Sequence, residues 1–372
     1  MKSILLTTTA IVAFAGAAFA DGHTSVGFSG DASLGHNDDI ENGFYWDVNV
    51  DVKASATLDN GLTATASAEL NVASDDTANA NTTAEFDELK IVLSTSNISL
   101  SFGDIDPAAE SNWGGVSGDS TIGFNDKDVH LNGGTSALFD AIFAVEANVS
   151  GVTAALSYGV ALDESAPNGK SIDALQLYAT GAFGMVTVEG AYQGEIADNG
   201  QSLMGLSAST TVAGATITGA YLGESGTADE ESSIGLGVSY PVGPVTLAGY
   251  YSMNDVAEDS YGVSAAYADG PIAVNAYYEF DGNTDATDEA TEFGVEGSYD
   301  TGLGLTVLAG YISTEVGTAD ATAQTYAAGV YDLGGGANIL VSYAENEANA
   351  ADDEIGDPEY LSGTTVKVSF KF

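Results

Sequence analysis

GVSYPVGPVTLAGYYS, residues 237–252, alternates apolar and polar positions, turns at Gly243-Pro244, and alternates again. A period of two marks a strand with one buried face, and a glycine turn between two such runs marks a hairpin. The unit recurs in AAYADGPIAVNAYYEF (265–280), GSYDTGLGLTVLAGYIS (297–313) and GVYDLGGGANILVSYAE (329–345). Earlier copies turn at Asn60-Gly61, Ser150-Gly151, Phe183-Gly184 and Ala213-Gly214. The pattern gives up to about 20 strands in an all-β chain.

Tyrosine placement says what lies outside those strands. On strands leaving a turn, apolar side chains share one face and the last of them is tyrosine: Tyr158, Tyr192, Tyr221, Tyr251, Tyr278, Tyr311 and Tyr343. Tyr240, Tyr267 and Tyr299 end the apolar face of incoming strands, just before the short turns. Two levels of aromatic rings bracketing Val, Leu, Ile and Ala match the two interfaces of a lipid bilayer. Cross-strand aromatic packing in a soluble sheet is the alternative. Short turns at one end and long acidic loops at the other favour the membrane, as a transmembrane antiparallel up-and-down β-barrel.

The last stretch, TTVKVSFKF (364–372), fits as the closing strand. Val366, Val368 and Phe370 would face lipid, Lys367 and Lys371 the lumen, and Phe372 the lower aromatic girdle. Its long edge needs a partner, and the strand near 25–35 can supply one by closing the ring. Residues 1–20, a lysine, an apolar run and Ala18-Phe19-Ala20, read as a cleaved signal peptide, leaving 21–372 as a single barrel domain.

The bulk numbers agree. Hydrophobic residues are 44% of the chain and the mean hydropathy is +0.07, too apolar for a disordered acidic chain. A net charge of −47, from 54 acids against 7 lysines and no arginine, excludes nucleic acid and anionic membrane surfaces as partners. Cysteine is absent, so no disulfide holds the fold. Three histidines without metal-ligand spacing, and no nucleophile elbow or phosphate loop, argue against an enzyme.

YDLGGGANILVSYAE (331–345), VKVSFKF (366–372) and FGDIDPAAESNWGG (102–115) resemble the general diffusion porins of alphaproteobacteria. The resemblance implies about 16 strands, a homotrimer in the Gram-negative outer membrane, passage of small hydrophilic solutes, and no required cofactor. It also implies that the long third loop, 104–137, folds back into the barrel. Ile105, Pro107, Trp113, Val116, Ile122 and Phe124 can anchor such a loop to the inner wall. Its acids Asp104, Asp106, Glu110, Asp119, Asp126 and Asp128 are then free to face the opening. Related porins set arginines across from an acidic loop, and this chain has none.

Strand parity gives the rest of the pore wall. Val48, Val50 and Val52 face lipid, so Asp47, Asp51 and Lys53 face water; Glu69, Glu88 and Lys90 follow on the next two strands. Such a lumen favours cations. A substrate-specific channel is the alternative, with Tyr178, Tyr250 and Tyr277 inward by parity; a third is a non-channel structural or adhesive barrel. Asp281, Asn283, Asp285, Thr287, Glu289 and Glu292 have the spacing of a helix-flanked calcium loop. Ala286 replaces the needed glycine and the flanks are strands, so a solvated acidic loop that holds Ca²⁺ loosely is the competing reading.

Overall fold

The computed structural model describes residues 24–40, 43–74, 82–116, 141–160, 175–196, 201–225, 232–255, 258–282, 289–346, 355–356 and 358–372. The first strands are β1 (Thr24–Asn37), β2 (Phe44–Thr57), β3 (Thr63–Ser74), β4 (Thr82–Ser94) and β5 (Ile98–Gly103). Next come β6 (Ala141–Val149), β7 (Val152–Val160), β8 (Gln176–Phe183), β9 (Val186–Ile196) and β10 (Gln201–Val212). Then follow β11 (Ala215–Ser225), β12 (Ser232–Val242), β13 (Val245–Asn254), β14 (Ser260–Asp269) and β15 (Ile272–Asp281). The last are β16 (Ala290–Asp300), β17 (Leu305–Val316), β18 (Thr322–Gly334), β19 (Ala337–Asn346) and β20 (Gly363–Lys371).

Each strand pairs antiparallel with its chain neighbours, and β20 returns to β1, closing a 20-stranded sheet. The strand number of the repeat pattern stands, and the smaller ring implied by the resemblance is corrected. Each alternating run has its own turn and therefore becomes its own strand. In the closing seam Leu34 pairs with Val368 and Gly35 with Lys367. Gly30 and Phe372 exchange two backbone hydrogen bonds of 2.9 Å. From Gly30 to Asn37 this pairing covers the edge of β1.

The short turns use left-handed backbone. Ser150-Gly151 and Ala213-Gly214 hold both residues at positive φ, 55° and 83°, then 53° and 88°. Two positive-φ residues make a two-residue turn whose twist suits the flanking strands. Outside, Val366, Val368 and Phe370 are about half exposed, and Lys367 lies on the opposite face.

Outward tyrosines lie on β7 to β19. Among the described residues β1–β6 and β20 present none; their large outward side chains include Phe44, Trp46, Phe86 and Phe102. Inside, Tyr250, Tyr277 and Tyr326 lie flat against glycines that are their register partners, Gly262, Gly294 and Gly310. A Cβ at any of these glycines would run into the ring, so only glycine fits.

Among the described residues the register shifts at three places, Ser67/Glu69, Gln201/Leu203 and Asp332/Gly334, and the first of these redirects a large side chain. Between Ser67 and Glu69 the register shifts by one residue on β4, with Glu88 at φ 50°. Strict alternation would put Phe86 on the same face as Lys90. The extra residue turns Phe86 outward instead, where it is 77% exposed.

Candidate functional site

The third connection leaves the wall at Gly103, the register partner of Lys90, and its next N–H, on Asp104, donates to Leu89 O at 2.9 Å. It then runs inside the barrel. Pro107, with its φ already set, opens a helical turn in which Ser111 N–H donates to Pro107 O (3.0 Å) and Trp113 N–H to Ala109 O (2.9 Å). The first N–H groups of such a turn have no partner within it. Here the wall supplies them. Ala108 N–H donates to Ser157 Oγ at 2.7 Å, and Gln176 Oε1 accepts from both Ala109 (2.7 Å) and Glu110 (3.0 Å). Gln176 Nε2 donates in turn to Gln193 Oε1 at 3.2 Å.

Ala108 and Ala109 have no side chain beyond Cβ, which lets the turn come this close to the wall, and both are buried. Further along, Gly114 N–H donates to Glu189 Oε1 (3.1 Å), whose other oxygen accepts from Ser207 Oγ (2.9 Å). Val116 is fully buried among Leu203, Ala220, Leu222 and Tyr250, with Trp113 against the same cluster. Gly205 makes room for Trp113, because a Cβ there would sit 2.7 Å from its ring. Burial of apolar side chains of this size contributes about 1.5–3 kcal/mol each. The loop is held by polar bonds at its start and apolar contacts at Trp113 and Val116.

The carboxylates fall as follows. Asp104 and Asp106 are exposed and Glu110 is half-buried, with Oε2 out of contact with water and unbonded. Burial, and then the charge of Asp106, raises the Glu110 carboxyl above the usual glutamate range. Asp119, Asp126 and Asp128 lie outside the described residues, as do the anchors Ile122 and Phe124.

On the wall formed by β2 and β4, Asp51, Lys53, Glu88 and Lys90 line one lumen cavity of about 490 Å³. Asp51 accepts from Ser29 Oγ at 3.2 Å and pairs in register with Glu69; Asp47 accepts from Asn49 Nδ2 at 3.2 Å. Lys90 and Glu88 approach to 3.9 Å, an exposed pair that contributes little. The described lysines, Lys53, Lys90, Lys367 and Lys371, all sit on β2, β4 and β20.

Some groups here were not singled out by sequence, and others take a place different from their spacing. Ser157, Gln176, Glu189 and Gln193 form the cradle of the third loop, and only parity marks them: Leu177 is outward, so Gln176 is inward. On β16, Glu292 accepts from Tyr277 Oη (2.7 Å) and Thr314 Oγ1 (3.0 Å), and Glu296 accepts from Tyr326 Oη (3.0 Å). Glu292 therefore belongs to the inner wall, opposite Glu279 in register. Asp281 ends β15, while Asn283 and Asp285 lie outside the described residues.

The aromatic girdle residues sit at outward register positions. Tyr192, Tyr240, Tyr251, Tyr278, Tyr299, Tyr311, Tyr343 and Phe372 are exposed. The Tyr158 ring packs at a tilt against Phe143 with centroids 5.1 Å apart, Tyr221 pairs with outward Leu206 and Ile234, and Tyr267 with outward Val274.

A closed ring, apolar and tyrosine-edged outside and polar inside, with one loop docked in its lumen, defines a channel-type transmembrane barrel. A family model for Gram-negative porins matches residues 7–260, and the chain belongs to that family. Among solved structures it is similar to a triple-substituted Rhodopseudomonas blastica porin at 19% identity, TM-score 0.44, covering 69% of this chain and 94% of that one. A second variant of the same porin matches at 18% identity and TM-score 0.46, covering 73% of this chain and 98% of that one. A loop-deleted OmpT of Vibrio cholerae matches at 14% identity and TM-score 0.40, covering 94% and 100%. No curated protein matches the sequence.

Proposed function

We propose that this porin forms a water-filled outer-membrane channel that favours cations and passes small hydrophilic solutes by diffusion, with the third loop as its narrowest part. The observation that supports the reading is the loop docked through Ala108 and Ala109 on Ser157 and Gln176, and in this reading its acids Asp104, Asp106 and Glu110 face the opening. Asp47, Asp51, Glu69 and Glu88 add carboxylates to the wall, and together with the three loop acids these seven outnumber the four described lysines. Acid-lined constrictions concentrate cations and repel anions. With no arginine across the opening, the transverse field is weak and the net potential negative. A substrate slide is disfavoured because Tyr178, Tyr250 and Tyr277 are only 8%, 7% and 4% exposed and offer no free ring face.

Ca²⁺ enters this reading as a loosely held counterion of the acidic loops, which the wall position of Glu292 supports. Export through cleavage after Ala20 and assembly as a homotrimer complete it. The arc from β20 through β6, bare of outward tyrosine among the described residues, suits subunit contact. Seven strands at about 4.8 Å spacing across a band about 25 Å tall give about 800 Å², near what one partner buries in a standard interface. Reversal potentials in a salt gradient test the channel. Cation preference that weakens as salt screens the acids is expected, and anion preference would overturn the reading.

A further inference from the structure

The connection between β19 and β20 belongs to the acidic rim by sequence, in the run DDEIGDPEY (352–360). Yet Ile355 is fully buried and Tyr360 is 3% exposed. They bond each other through Ile355 N–H to Tyr360 O (3.2 Å) and Tyr360 N–H to Ile355 O (2.9 Å). Both pack on Tyr326, Ala328 and Ala344, with Leu308 and Leu340 behind. Those wall residues share the inward face of β17–β19, since Tyr326 reaches lumen-side Glu296 and pairs with Gly310. The Tyr360 and Tyr326 rings are 4.8 Å apart. Gly356, at φ 76°, lies so close over Tyr326 that a Cβ would clash.

We infer that Ile355 and Tyr360 anchor a second inward element, which narrows the lumen on the β17–β19 side and sets the size of solute that passes together with the third loop. This rests on the channel reading above. The tip, Pro358 and Glu359, is exposed, so the element presents a carboxylate to the water while hiding its apolar side. An apolar patch on the inner wall of a water-filled pore would otherwise stay wet. Covering it removes that cost and takes cross-section from the pore. The chain end of the element is fixed as well: Asn37 Nδ2 donates to Ser362 O at 2.7 Å and to Thr365 Oγ1 at 2.9 Å.

The chain has no cysteine, so single thiols report without ambiguity. Ala344→Cys, beneath the turn, should react with a bulky hydrophilic maleimide at least about tenfold more slowly than Glu359→Cys at the tip, which corresponds to about 1.4 kcal/mol of docking. Adding Ile355→Ala and Tyr360→Ala should remove that protection. In bilayers the same double variant should conduct more than the parent and admit larger sugars. Equal labelling of Ala344→Cys and Glu359→Cys in the otherwise unaltered chain would overturn the docking, whether or not the double variant folds. A protected Ala344→Cys combined with unchanged conductance and size cut-off in a folded double variant would overturn the narrowing. A parent that forms no channel while Ala344→Cys stays protected would count against the channel reading alone.

Discussion

Replacing Gln176 with leucine should loosen the third loop while leaving its seat filled. Gln176 Oε1 holds the Ala109 and Glu110 N–H groups at 2.7 and 3.0 Å. Gln176→Leu keeps the volume and deletes the acceptor, which strands two donors on a turn that is already buried. Each orphaned donor costs about 1–3 kcal/mol; two at about 1.5 give about 3 kcal/mol, or roughly a hundredfold in the docked-to-undocked ratio. The apolar seat of Trp113 and Val116 opposes this loss. Gln176→Leu alone should therefore flicker between conductance levels, and Gln176→Leu with Trp113→Ala should stay at the higher one. Fluorescence gives an independent readout, because the chain has only two tryptophans, Trp46 and Trp113. In a Trp46→Phe background, Gln176→Leu should shift emission to the red as Trp113 leaves Leu203 and Leu222. Unchanged emission together with unchanged open-channel noise would refute the role given to this glutamine.

Other outcomes follow from the same geometry. Hydrogen bonding to the Thr364 backbone holds the Asp38 carboxyl below the usual aspartate range. Its contribution to the seam is then full above the unfolded value and lost as pH falls through the lowered folded value. Thermal midpoints should drop across that window, and by less in Asp38→Asn. Glu110, raised by burial and Asp106, should take its proton at higher pH than an ordinary glutamate. On acidification cation preference should fall early, and Glu110→Gln should abolish that early component of the reversal-potential curve. Gly294→Val would push against the Tyr277 ring and should destabilise the barrel by about 1–3 kcal/mol, read as earlier loss of its SDS-resistant form on heating. Tyr277→Ala in the same chain should recover part of that loss.

The strands were legible because a two-sided wall writes itself as alternation. Val48, Val50 and Val52 against Asp47, Asp51 and Lys53 is readable without coordinates. The bulge at Glu88 was not, since a bulge is a property of pairing between strands and leaves no composition signal. The inward course of the third loop followed from a resemblance, and Trp113 and Val116 were visible as anchors. Gln176 was hidden because its partners lie 66 and 67 residues away in sequence. Ile355 and Tyr360 were hidden for another reason. Two apolar residues inside a run of acids look solvated until the patch they cover is known.

Ring closure also decides how this chain can fold. Neighbouring strands are joined by short turns or by loops of at most a few tens of residues and can pair locally, but the seam joins Asn37 to Thr365 across 328 residues. Contacts that distant form slowly, because the entropy of bringing them together is lost before they stabilise anything. Until β20 reaches β1, both terminal strands stand as open edges able to template pairing with other copies. The remedy is in the composition. At −47, unclosed chains repel one another at the distances where edges would meet. The same net charge therefore opposes edge-to-edge pairing before the ring closes.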